Sequence, residues 1–146
     1  MYGDSAATRK RAGQLREQAT DIRAMADRLV GQIDAITWDG RAAADLRQRI
    51  QDRAGLLREC AAQHETAADS LTRHVNEVDR LKDAIAGVER KAGSLVADAR
   101  TRIAALDAAP SDGVRVEASD TDRTLDQFVP PAPGHKDWLT VELPGL

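Results

Sequence analysis

The stretch Trp38-Asp39-Gly40 decides the fold, because it separates two long helix-periodic segments that contain no proline. Before it, apolar residues recur at steps of three and four: Ala12, Leu15, Ala19, Ile22, Ala26, Leu29, Ile33 and Ile36. After it, the same seven-residue rhythm resumes in Ala43, Leu46, Ile50, Leu57, Leu71, Val78 and Ile85. This rhythm is typical of amphipathic helices, and a glycine at the break allows the chain to reverse. The sequence therefore predicts an all-α antiparallel helical hairpin with Trp38, Asp39 and Gly40 at its turn.

The two predicted helices differ in length. We expect helix 1 at about residues 5–36, capped by Asp4 or Ser5, and helix 2 at about residues 41–106. The apolar row of helix 2 therefore continues past the end of its partner, beyond about Leu71. Either helix 2 breaks near Gly87 or Gly93 and folds back, or the overhang packs against another chain. The seven-residue phase survives both glycines, which favours the second arrangement.

Composition indicates a thin helical bundle or coiled coil. Aromatic residues make up 3% of the 146 residues and charged residues 31%, and alanine dominates the apolar share. Alanine permits close helix packing but buries little surface, so such a hairpin gains stability from a partner. A flanking alanine-rich row, Ala54, Ala61, Ala68 and Val75, indicates that the apolar face drifts around helix 2 where Arg53, His64 and His74 interrupt the main row.

Several classes of function are disfavoured by the sequence. The net charge is −3 and no basic stripe is present, so we expect no nucleic-acid binding. No apolar stretch is long enough for a membrane span, and the first residues lack the apolar core of a secretory signal. Any export is therefore expected to use a route independent of such a signal.

Catalysis is also disfavoured. Cys60 is the only cysteine, and His64 lies four residues later, so the two side chains can touch on one helix face. Nothing else in the sequence builds an oxyanion site beside them. His64 and His74 are too far apart on one helix to share a metal. We therefore expect no enzyme, no catalytic residues, no cofactor and no bound metal.

The last forty residues have a different character. All five prolines lie between Pro110 and Pro144, and residues 107–146 are acidic, so we expect a mostly disordered tail. Residues 114–117 and 138–143 alternate and could pair with each other or with a partner's sheet edge. Phe128 and Trp138 are either tolerated in solvent or anchors for docking.

The run from Trp38 to Leu46, Trp-Asp-Gly-Arg-Ala-Ala-Ala-Asp-Leu, resembles the signature of the WXG family, the small helical-hairpin proteins of type VII secretion systems. The resemblance covers about residues 5–85, the extent of the two-helix pattern. It implies a four-helix bundle made from two hairpins, as a homodimer or as a heterodimer with a sister protein or an effector's leader. The implied activity is export as a folded pair or delivery of a larger effector.

The chain departs from the family in one respect. In the family, the turn lies beside a partner's C-terminal tail that carries Tyr followed four residues later by Asp or Glu. Here the only tyrosine is Tyr2, and the residue four positions later is Ala6. Either a partner supplies that signal for export, or the protein stays cytoplasmic as a chaperone or targeting adaptor for a toxin. A plain coiled-coil scaffold is the third alternative.

We predict that the apolar row forms the protein interface. Its members are Leu15, Ile22, Leu29, Ile33, Ile36, Leu46, Ile50, Leu57, Leu71, Val78 and Ile85.

Overall fold

The computed structural model describes residues 4–109, 113 and 115–146. Its elements are α1 (Ser5–Asp34), α2 (Arg41–Ala108), α3 (Asp120–Asp126) and a 3₁₀ helix at Lys136–Thr140. The described residues contain no strand. The predicted all-helical class with two long helices is therefore confirmed, and none of the described helices combines the length and apolarity needed to cross a membrane.

The ends of the long helices follow local sequence signals. The carboxylate of Asp4 accepts a hydrogen bond from the backbone N–H of Ala6 at 2.9 Å and caps α1, because the first N–H groups of a helix have no partner within it. α1 ends at Asp34, two residues before the predicted end. α2 begins at Arg41 as predicted and continues without a break through Gly87 and Gly93.

The chain divides into two compact units, one up to Val78 and the other from Asp79. In the first unit, the buried residues of α1 lie at seven-residue steps, and those of α2 do so from Ala54 onward, after an eleven-residue step from Ala43. They are Ala12, Ala19, Ala26 and Ile33 on α1, and Ala43, Ala54, Ala61, Ala68 and Val75 on α2. Small side chains at these positions allow the helix backbones to approach closely. The row Ala54, Ala61, Ala68 and Val75, which was predicted to flank the apolar face of α2, is thus the buried centre of that face. Ile50, Leu57 and His64 of the predicted main row are half-buried beside it.

Polar contacts between the helices fix their antiparallel register. Going up α1, an Arg9 guanidinium N lies 3.0 Å from Asn76 Oδ1 and an Arg16 guanidinium N lies 2.9 Å from Asp69 Oδ1. Further along, Arg23 pairs with Glu65, and Asp27 lies 2.7 Å from Arg58. Each step up α1 corresponds to a step down α2, as a hairpin requires.

In the second unit, the end of α2 packs against the C-terminal segment. Ile85, Ala92 and Trp138 are buried together, with Val88, Phe128, Val141 and Leu143 packed around them. The Phe128 and Trp138 rings make an edge-to-face contact at 6.1 Å, which is a favourable geometry for aromatic pairs. The indole N–H of Trp138 donates to the Ala132 carbonyl at 3.0 Å.

This packing corrects three expectations. The described residues from 115 onward are folded, with α3 and the 3₁₀ helix, rather than disordered. Residues 115–117 form no strand and residues 138–140 are helical, whereas Val114 lies outside the described residues. α2 does not fold back, and Ile85 and Ala92 of its apolar row beyond Val78 are covered by Trp138 of the same chain.

Candidate protein-interaction face

The hairpin of the first unit has two different sides. In a helix, positions three and four residues after a buried residue lie on opposite sides of it, about 60° one way and about 40° the other. Arg23 and Glu65, each four residues after a buried alanine, bind each other. Arg16 and Thr72 occupy equivalent positions and lie 3.1 Å apart. These positions therefore share one side, which we call the ion-paired side, and the positions three residues after the buried ones share the other.

This other side is the apolar face. We define it by the positions three residues after and one residue before the buried ones. On α1 they are Leu15, Ile22 and Leu29, with Arg11, Gln18, Met25 and Gln32 outside them, and Ile36 follows two residues after the end of α1. On α2 they are Leu57, His64, Leu71 and Val78, with Arg53, Cys60, Ala67 and His74 outside them. Leu15, Ile22, Leu29, Leu57, Leu71 and Val78 are half-buried, so part of each remains in water.

The structure divides the predicted interface residues into three groups. Ile33 and Ile85 are buried within the chain, at 7% and 3% exposure, so they are not open to a partner and that expectation is corrected. Ile36 is exposed, at 44%. The half-buried group comprises Leu15, Ile22, Leu29, Leu46, Ile50, Leu57, Leu71 and Val78.

The turn carries exposed apolar groups on a fixed backbone. Gly40 has a φ of 112°, a conformation that residues with a Cβ rarely adopt. An Arg47 guanidinium N donates to the carbonyls of Ile36 and Trp38, at 3.0 and 2.8 Å. These bonds satisfy two carbonyls that follow the end of α1. The side chain of Trp38 is 51% exposed, so the indole does not seal the hairpin core.

Cys60 and His64 lie near the middle of the apolar face. Cys60 Sγ is 3.8 Å from His64 Nδ1, and the same Nδ1 is 3.0 Å from the Cys60 carbonyl oxygen. The predicted contact one helical turn apart is therefore confirmed. Within the described ranges, no group of three or more His, Cys, Asp or Glu side chains is placed to hold a metal ion.

On the ion-paired side, Arg16, Arg23 and Arg58 each pair with an acidic side chain of the other helix. Two guanidinium nitrogens of Arg23 donate to the two carboxylate oxygens of Glu65. The hydrogen bond from Arg23 lowers the pKa of Glu65, and the same bond raises the pKa of Arg23. Such fork-shaped pairs are among the more specific charge contacts in proteins. This side therefore has less need of a partner than the apolar face.

Sequence reasoning missed the contacts that hold the C-terminal segment on α2. Arg102 binds Asp122, Arg100 Nε lies 3.0 Å from Asp126, and Leu125 is buried at 1% exposure. One local signal was available. Ser119 precedes Asp122 by three residues, and its hydroxyl accepts from the Asp122 N–H as a helix cap.

Comparison with known proteins adds no assignment. No family model, no curated protein and no solved structure matches this chain.

Proposed function

We propose that this chain is a WXG-like partner protein of a type VII secretion system, and that it acts by pairing rather than by catalysis. In this proposal, the apolar face of the first unit packs against a second helical chain, and the two hairpins form a four-helix bundle. The support is the signature from Trp38 to Leu46, located at the turn of a two-helix hairpin.

The observation that carries the pairing proposal is the difference between the two sides of the hairpin. The alanine centre is already buried, whereas the leucine, isoleucine and valine side chains beside it are only half-buried. Removing the rest of their apolar surface from water stabilises by roughly 25 cal/mol per Å². Within one chain that surface stays in water, so a second helical layer is the natural cover.

Adjacent leucines on α2 provide the test. Leu57 is half-buried on the apolar face, and Leu56 is 65% exposed and points away from the buried row. The full chain would be mixed with each helical-hairpin protein encoded beside it, and the mass of the complexes measured by light scattering. We expect L57E to abolish a complex that L56E leaves intact. Monomers in every mixture, or equal effects of both substitutions, would contradict the pairing role.

Export is tested separately. The chain and its partner would be followed in culture medium from strains with and without the secretion ATPase. Appearance outside the cell only with the ATPase supports an exported pair. Retention inside while a partner toxin is exported supports the adaptor alternative, and a complex whose members never leave supports a scaffold.

A further inference from the structure

The apolar face lacks carboxylates, unlike the ion-paired side. None of the face positions defined above is Asp or Glu, whereas Arg11 and Arg53 both lie on it. The corresponding positions of the ion-paired side, four residues after and one residue after the buried ones, include Asp27, Asp34, Glu65 and Asp69. The two sides therefore differ in charge as well as in apolar content.

The arginines of the apolar face have no carboxylate partner. Arg53 is exposed and makes no hydrogen bond or ion pair within the described part of the chain. Arg11 contacts only a neutral amide, with a guanidinium N 3.4 Å from Gln14 Oε1. On the opposite side, Arg16, Arg23 and Arg58 each bind an acidic side chain of the other helix. Arg11 and Arg53 are thus two arginines without a carboxylate partner among the described residues that border the half-buried apolar side chains, whereas others, such as Arg73, lie on the outer surface.

This arrangement discriminates between two occupants of the face. In a symmetric dimer, the same patch on each copy meets itself, whichever twofold axis relates the copies. Because the face has no carboxylates, the second copy would provide no acidic partner for Arg11 or Arg53. It would also bring the arginines of the two copies near one another. A different chain with acidic residues beside its apolar stripe supplies the missing partners, and complementary charge favours that encounter.

We infer that the apolar face binds a chain other than a second copy, namely an amphipathic helical partner with Asp or Glu at the edges of its apolar stripe. This inference rests on the proposed pairing function, and it names the chemical class of the partner. Leu15, Ile22, Leu57 and Leu71 supply the apolar contacts, and Arg11 and Arg53 select the acidic edges.

Two synthetic helical hairpins provide the probe. They share one apolar stripe and differ only at the edge positions, which are Glu in one and Lys in the other. Binding to the full chain is measured by fluorescence anisotropy of the labelled hairpins. Alkylation of Cys60 reports whether the bound hairpin covers the apolar face. We expect the Glu hairpin to bind about tenfold more tightly, the effect of two or three rim charge pairs. High salt reduces the difference.

Substitutions on α2 locate the selectivity. R53E should remove the preference for the Glu hairpin, whereas R73E, on the exposed outer surface of the same helix, should retain it. Equal binding of both hairpins, or a stable dimer of the chain alone that protects Cys60, would overturn the inference and leave pairing through this face intact. Failure of both hairpins to bind or protect Cys60 would overturn the pairing function as well.

Discussion

Arg102 donates to both carboxylate oxygens of Asp122 and so joins α2 to the first turn of α3. Arg102 Nε lies 3.1 and 3.2 Å from the two oxygens, and Nη2 lies 2.5 Å from Oδ1. The Asp122 side chain is only 11% exposed. The hydrogen bonds from Arg102 lower the pKa of Asp122, and burial of the carboxylate opposes this only in part.

The stability of the second unit should therefore fall with acidification. A carboxylate whose folded-state pKa is depressed contributes stability above its unfolded-state pKa, about 3.9, and loses it as the pH falls through the lower folded value. We expect D122N to be less stable than the parent at neutral pH, with a smaller further loss on acidification. Trp138 fluorescence in a W38F background reports this unit alone. D120N is the control, because the Asp120 side chain is fully exposed. If D120N showed the same reduced loss of stability on acidification, the role of Asp122 would be contradicted.

The alanine centre of the hairpin should reject larger side chains. Ala61 is 0% exposed, so A61L must push the helices apart or strain its own rotamer, and we expect it to destabilise by about 1–3 kcal/mol. Ala62 is exposed, and A62L is expected to change stability by less than about 0.5 kcal/mol. Urea unfolding followed by circular dichroism at 222 nm, a helix-sensitive wavelength, measures both. Equal midpoints for the two variants would show that Ala61 is not at a close helix contact.

Replacing each of the two tryptophans with alanine should reduce stability by very different amounts. Trp138 is 4% exposed, and W138A should destabilise the second unit by about 3–5 kcal/mol because it leaves a cavity over Ile85 and Ala92. Trp38 is 51% exposed, and W38A should cost less than about 1 kcal/mol. Hydrogen exchange of the α2 amides beyond Asp79 separates the two effects. Unchanged protection in W138A would mean that the C-terminal segment does not stabilise this part of α2.

Two glycines should respond to alanine with opposite signs. Gly40 has a φ of 112°, so G40A strains the turn and is expected to destabilise by about 1–3 kcal/mol. Gly55 lies inside α2 with open space around its Cα, so G55A should stabilise by about 0.5–1 kcal/mol through its better helix propensity. Thermal unfolding of both variants tests this. A stabilising G40A would show that the turn backbone relaxes out of the left-handed region.

The half-buried leucines and the buried alanines show where sequence reasoning reaches its limit. Periodicity identified both rows of α2, Leu57 with Leu71 and Ala54 with Ala61, but ranked the larger side chains as the seam. The opposite holds, because close approach of two backbones buries alanine completely and leaves leucine at the edge. The hydrophobic pattern of the sequence does not specify how closely the two helix backbones approach.

The sequence by itself determined the two long helices, their ends to within about two residues, and the turn at Gly40. These follow from short-range causes, namely seven-residue periodicity, an Asp4 cap, and prolines confined to the last segment. Only the tertiary structure decided that the C-terminal segment folds onto α2, since α3 has seven residues and too little periodicity to be recognised. Its stability comes from contacts between residues far apart in the chain, Trp138 with Ile85 and Asp122 with Arg102. Such contacts exist only after α2 has placed their partners on one surface.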